Sequence, residues 1–493
     1  MTNVAAERDI AAEPNPRRWI ILAVVGTAFF MTILDVAIVN VAIPSIEIDL
    51  NIKRETVQWV ITAYAITFGG FLLLGGRMAD LLGRRRIFIA GLILFTLASL
   101  ACGLSKTAGS AGILIAARAI QGLGAAIISP AALSIVTTTF TEGAERNKAL
   151  GIWGALGGSG AAAGVLFGGI LVKYLGWDWI FFVNVPVGAV VLLLAMRIVP
   201  ESTAEIAGRR RFDVAGAFTV TAGLAVFVYA ISKAPDVGWG SARTIVLLIV
   251  AAGLLASFLA IELRGTAPLM PFAIFRNRSL SGANVVAFLM GMVIFANFFL
   301  LTLYVQQVLG WSALRAGVTF LATAGTTVIW AGAAQALTTR FGPRAIMTSG
   351  LLILAVALYW YTRIPVHGSY WPDLLPAYLV FAVGLAFTFI PVSIAALAGV
   401  QPQEAGLASG LLNTSQQIGG AIGVAVVTTI FTTRAKDLLA TGHTPPHAFT
   451  SGYADAFWAL FALAIAGAVA AFVLLRGVKP QDVTEHEAAG VAI

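Results

Sequence analysis

The chain has 493 residues, of which 59% are hydrophobic and 11% charged, and its mean hydropathy is +0.91. Soluble domains carry roughly 45–50% apolar and about 25% charged residues, so a water-soluble enzyme is excluded and the chain reads as a bilayer protein. The net charge of +8 does not point to nucleic acid, because the basic residues stand between apolar runs and form no single polar face.

Residues 1–17 form a polar tail that reads as retained, not as a cleaved signal. Apolar runs long enough to span a bilayer, about 20 residues each, then follow. The predicted spans are 18–44, 56–76, 87–105, 111–139, 148–172, 178–198, 213–232, 243–262, 281–308, 314–337, 344–363, 372–398, 404–431 and 454–475. The expectation is an all-α membrane protein with fourteen transmembrane helices. A six-helix bundle occupies 18–198, linkers and two inserted helices 199–280, a second six-helix bundle 281–475 and a C-terminal tail 476–493.

An even count puts both tails on one side. Twenty of the 31 basic residues fall there, among them Arg8, Arg86, Arg209, Arg210, Arg211 and Lys479; ten, including Lys53, fall opposite, and Arg118 lies inside a span. This bias predicts cytoplasmic termini. Internal symmetry supports the two bundles. The glycines of the fifth span are echoed by Gly406, Gly410, Gly419, Gly420 and Gly423 in the thirteenth, and the loop after span two is echoed by Thr339-Arg340-Phe341-Gly342-Pro343-Arg344 after span ten. Two related halves around a midplane site is a transporter architecture.

Few residues carry chemistry. Asp35 lies deep in the first span, where a carboxylate costs a few kcal/mol and needs a partner. A structural hydrogen bond is the plain reading; a proton carrier, pushed toward its neutral form by desolvation, is the functional one. Arg118, in the fourth span, runs in the opposite direction and reaches a similar depth, so it is expected to face the same cavity and tune Asp35 directly, through Gln121 or through water. After span two, Gly76, Arg77, Asp80, Gly83, Arg84 and Arg85 form a loop in which Gly83 permits a tight turn and Asp80 can accept from amides or a helix N-terminus. Gly154, Gly160, Gly164, Gly168 and Gly169 let another helix approach the fifth span closely, as plain packing or as a sliding contact. Asn40, Gln121, Asn297, Phe298, Tyr304, Gln306, Asn413 and Gln417 are candidate substrate contacts. Asp35 is the one acid placed deep in a span, so protons and monocations are expected to compete for it.

These stretches resemble the major facilitator superfamily in its fourteen-helix drug:proton antiporter branch. Leu34-Asp35-x-x-Ile38-Val39-Asn40-Val41-Ala42-Ile43-Pro44 is similar to the branch's first-helix motif, and Gly76 to Arg85 to the superfamily's helix 2–3 loop. Arg118-Ala-Ile-Gln121-Gly122-Leu-Gly124 is similar to the fourth-helix motif, and Gly154 to Gly169 to the fifth-helix antiporter motif. Phe275-Arg276-Asn277-Arg278, Leu314-Arg315-Ala316-Gly317 and Ala405-Gly406-Leu407-Ala408-Ser409-Gly410 extend the match. The resemblance implies alternating access and proton-driven export of lipophilic, cationic drugs or natural products, with Asp35 protonatable, Arg118 in the proton relay and Asp80 with its arginines as a latch. Two positions depart from it: Val165 stands in place of a usual proline, and Leu81 in place of a frequent basic residue.

No phosphate loop or nucleophile–base pair appears, and neither Cys102 nor His367, His443, His447 and His486 has metal-ligand spacing. The expected energy source is therefore the proton gradient, with no cofactor. The expected partners are a small lipophilic substrate, protons and membrane lipids, with no nucleic acid, for a monomer in the cell's inner membrane. A narrow exporter of one self-made metabolite is the first alternative, a proton-coupled nutrient importer the second and a channel or a non-transporting membrane receptor the third; a channel would need a ring of pore-lining groups.

Overall fold

The computed structural model describes residues 16–52, 54–140, 143–202, 213–265, 268, 270, 272–401 and 404–476. Arg8, Lys53, Arg209, Arg210, Arg211, Lys479 and His486 lie outside the described residues. In chain order the helices are α1 Arg18–Asp49, α2 Arg54–Leu82, α3 Arg84–Leu104, α4 Ala111–Thr139, α5 Ala144–Tyr174, α6 Trp179–Phe182 and α7 Asn184–Ile198. They continue as α8 Val214–Val237, α9 Ala242–Arg264, α10 Arg278–Gln307, α11 Ala313–Phe341, α12 Pro343–Tyr361, α13 Leu375–Leu397, α14 Ala405–Ala440 and α15 Pro445–Leu474.

Among the described residues thirteen segments are long and apolar enough to cross a membrane, with α6 and α7 together making one of them. The fourteenth crossing is α5. Its 31 residues suffice in length, but eight glycines dilute its hydropathy, and the helix is packed between α1, α11 and α13. Starts are set by side chains that accept orphan amides: Ser110 from Ile113, Asp213 from Gly216, and Asn277 from Ser279 and Leu280. The sixth span breaks into α6 and α7 because Pro186 has no N–H to offer the Phe182 carbonyl. Several boundaries differ from expectation, α2 running to Leu82 and α8 to Val237. The first and fourteenth helices run to Asp49 and start at Pro445, and the thirteenth runs on to Ala440, since polar residues extend a helix past the apolar window once its ends reach the interface.

The two halves repeat each other in detail. Gly83 and Gly342, both at positive φ (107° and 82°), turn the chain between α2 and α3 and between α11 and α12. A Cβ on Gly124 would stand 2.7 Å from the Phe95 nitrogen, and one on Gly384 would stand 2.7 Å from the Leu354 nitrogen, so α3–α4 and α12–α13 cross backbone to backbone at matching places. Gly164 against the Leu34 carbonyl (2.6 Å) and Gly423 against the Met292 carbonyl do the same for α1–α5 and α10–α14. The inserted α8 packs on both α2 and α14. It meets Gly70 on one side, and beyond its end the Trp239 indole donates to Thr429 at 2.8 Å on the other.

Candidate functional site

Five spans of the first half converge on Asp35, which is wholly buried. From α4, Arg118 Nη1 donates to Asp35 Oδ2 at 2.5 Å and to Gln121 Oε1 at 2.6 Å. Gln121 Nε2 donates to Asp35 Oδ1 at 2.8 Å and to Ser99 Oγ of α3 at 2.7 Å. At the start of α7, Asn184 Nδ2 donates to Asp35 Oδ1 at 3.0 Å. Arg118 Nε is satisfied by the Val60 carbonyl of α2 at 3.0 Å, and its guanidinium lies 4.2 Å from the centroid of the Tyr64 ring. The carboxylate thus receives three donors, one of them charged, in a region that excludes water. Charge-assisted bonds exceed neutral ones, and low dielectric magnifies them.

The fifth-span glycines hold the far side of α1 against α5. Gly160 would place a Cβ 2.7 Å from Ile33 Cγ2, and Gly168 would place one 3.0 Å from Ile38 Cγ1. Gly154, nearer the start of α5, faces Ile390 of α13 in the other half, and Gly151 faces Gln335 of α11. Val165, in the motif's usual proline position, contacts Gly317 of α11, and α5 continues through it without interruption.

A second constellation joins the halves at the end of the bundle that carries Arg18 and Leu474. Asp80 is buried at the end of α2 and accepts from the first amides of α14, Gly406 N at 3.1 Å and Leu407 N at 3.0 Å. A carboxylate at a helix N-terminus meets both unpaired N–H groups and the positive end of the helix dipole. Arg84 Nη2 donates to Asp80 at 3.2 Å and Arg84 Nε to Ser134 at 2.7 Å. Arg85 bonds the Met196 carbonyl, and its backbone N donates to Glu201 at 3.3 Å. Arg77 reaches the Pro268 carbonyl at 3.4 Å. Gly76 lies against the Gly406 backbone, which leaves no room for a side chain. Replacing Asp80 with alanine removes three bonds to a buried carboxylate, each worth roughly 1.5–3 kcal/mol. The expected result is a longer distance between spin labels at the exposed Leu82 and Gln401, read by pulsed dipolar spectroscopy. An unchanged distribution would mean that Asp80 does not hold α2 to α14.

Among the described residues no hydrogen bond or ring contact joins the candidate substrate contacts to one another. Gln121 belongs to the Asp35 cluster. Asn40 is exposed and donates to its own helix at Val36; Gln306 is exposed as well. Tyr304 is buried with its hydroxyl spent on the Pro365 carbonyl at 2.6 Å. Phe298 packs against Phe320 and Phe381, Asn413 donates to the Ser409 carbonyl, and Gln417 is half-buried. Asn297 is buried in α10 with neither amide atom hydrogen-bonded. Competition between cations and protons for Asp35 itself does not fit this geometry. Both carboxylate oxygens are occupied, one of them by a guanidinium that already supplies the positive charge. Asn184, Tyr64 and Ser99 were not anticipated. Their one signal is polarity within an apolar stretch, strongest for Asn184 in Trp179–Ile198.

The Major Facilitator Superfamily model matches residues 25–424. The chain is 39% identical over 480 residues to the puromycin resistance protein pur8 of Streptomyces alboniger, covering 96% of this chain and 94% of that one. It is 37% identical to the cephamycin export protein CmcT of Amycolatopsis lactamdurans, covering 90% of each chain. To the tetracenomycin C resistance and export protein of Streptomyces glaucescens it is 33% identical, covering 86% and 77%. Among solved structures, the human organic anion transporter MFSD10 superposes with a TM-score of 0.64 at 16% identity, covering 91% of this chain and all of that one, a likeness of fold alone. The matched model, these relatives and the paired six-helix halves make this chain a member of the Major Facilitator Superfamily, a multi-pass membrane transporter of small molecules.

Proposed function

We propose that the protein exports lipophilic drugs or natural products from the cytoplasm in exchange for protons. The observation that carries this is the buried Asp35 carboxylate, held by Arg118, Gln121 and Asn184 in the middle of a membrane helix. The relatives named for antibiotic resistance and export supply the direction and the substrate class. Residues 18–198 and 281–475 act as the two moving lobes, with 199–280 as the inserted segment, both tails in the cytoplasm and the inner membrane as the site of action. The transporter works as a monomer, without a cofactor.

The coupling follows from charge. When Asp35 takes a proton, the buried guanidinium of Arg118 loses its counter-ion, and an uncompensated buried charge is destabilising. The first half then favours an arrangement in which Arg118 reaches water or another acceptor, and α1 and α4, which carry the pair, move to give it. Asp80 keeps the cytoplasmic ends of α2 and α14 together until that rearrangement draws them apart. Substrate and proton therefore influence each other through the lobe, without sharing a carboxylate, so neutral and cationic lipophiles are both admissible. Single or double charge on the substrate is not decided at Asp35.

The test is direct. Adding a lipophilic substrate to vesicles that enclose a pH dye should move protons opposite to substrate. Substrate movement with no proton movement would contradict exchange.

A further inference from the structure

Resting on the proton-exchange reading of Asp35, we infer that Asn184 is the side chain that reverses its amide each time Asp35 takes up a proton. The groups that face Asp35 come from every helix packed on it: Arg118 and Gln121 of α4, Asn184 of α7, Tyr64 of α2, and Ser99 and Cys102 of α3 at the next remove. Of these, Arg118, Tyr64 and Cys102 are the charged or titratable ones. The atoms that touch the carboxylate are all donors. An anion suits them; a carboxylic acid does not, because its new O–H needs an acceptor.

The proton arrives on Oδ1, since Oδ2 is engaged by the charged Arg118 Nη1 until the lobe rearranges. Two amides touch Oδ1, and one of them must turn its oxygen inward. Gln121 is pinned on both sides. Its Oε1 accepts from Arg118 at 2.6 Å and from Cys102 Sγ at 3.7 Å, and its Nε2 also donates to Ser99 Oγ at 2.7 Å. Ser99 in turn spends its own hydroxyl proton on the Phe95 carbonyl at 2.8 Å. Reversing Gln121 would set NH2 against guanidinium and carbonyl against the Ser99 lone pairs. Among the described residues Asn184 makes one hydrogen bond, to Asp35, and none reaches its Oδ1. Reversal there exchanges an N–H donated to the carboxylate for an O–H accepted from the acid, and the number of bonds is kept.

The location gives the reversal a consequence. Asn184 opens α7 directly after the break from α6 that Pro186 enforces, so the torque falls at the one joint in the sixth span. Asn184 is thus a positioning residue that reports the proton state of α1 to α6 and α7.

Infrared difference spectra of the full-length protein between high and low pH, with 13C-labelled asparagine, test this. The inference expects a protonated-carboxyl band and an asparagine side-chain amide band that rise with one midpoint. The amide band is lost in Asn184→Leu, and both bands are lost in Asp35→Asn. Asn184→Leu in vesicles should also move the pH of half-maximal exchange up by about one unit, because the anion loses more than the acid does. A carboxyl band without the amide band, an amide band that survives Asn184→Leu, or an unshifted midpoint of exchange overturns the inference. If Asn184→Leu does not fold, the wild-type and Asp35→Asn spectra decide. Unaltered pH-dependent exchange in Asp35→Asn is the separate result that removes the underlying reading, and the inference with it.

Discussion

Replacing Arg118 with leucine is expected to destabilise the folded protein by about 3–5 kcal/mol, the range for removing one partner of a buried pair, seen as a lower thermal midpoint in detergent. Arg118 is 1% exposed and Asp35 is 0% exposed, so solvent cannot screen the carboxylate left behind. Gln121 and Asn184 remain as donors, but both are neutral and cannot match the guanidinium. The loss is one of pairing, and therefore the double variant Asp35→Leu/Arg118→Met should recover most of it. A buried pair replaced by apolar groups of similar volume is often neutral. The double variant should nevertheless transport nothing against a gradient. If Arg118→Leu alone is as stable as the wild type, the pair does not hold the first half together.

The second large effect concerns transport with the fold intact. Asp35→Asn keeps size and shape and removes the ability to bind and release a proton. Its side-chain oxygen can still accept from Arg118, while its NH2 faces the amide donors of Gln121 and Asn184. Asn184 can turn its oxygen toward that NH2, so the protein should fold. Gradient-driven flux should fall to the level of vesicles without protein, since no other described acid is both buried and deep in a span: Asp455, inside α15, is only half-buried and paired with Arg434. Asp80 lies at the end of α2 and Glu262 near the end of α9.

The fold was legible because its signal is repeated. Apolar runs bounded by charge recur along the whole chain, and each must close its own backbone hydrogen bonds within the bilayer. The pairing of Asp35 with Arg118 was legible too, because helices of alternating direction allow depths to be compared from residue counts. What the sequence hid depends on azimuth. Counting residues says how deep Asp35 lies but not which way it faces, so it was read as lining an open cavity and as a rival site for cations. It faces its own half instead, boxed in by α4 and α7. Asn184 is hidden in the sequence because Trp179–Ile198 is apolar enough to read as one span, and only the fold shows the break between α6 and α7 at which it sits. The partner of Asp80 was also out of reach. Its carboxylate shape and loop setting suggested a helix N-terminus, but only the fold brings residue 406 to residue 80. The scattered polar residues of the second half illustrate the converse: at helical spacing, Tyr304 and Asn413 serve their own helices and loops.

The most direct test of proton exchange through Asp35 is ethidium flux in proteoliposomes under an imposed proton gradient, with wild type and Asp35→Asn measured side by side. The account predicts saturable, gradient-dependent flux for the wild type and none for the variant. Equal flux from both would contradict it.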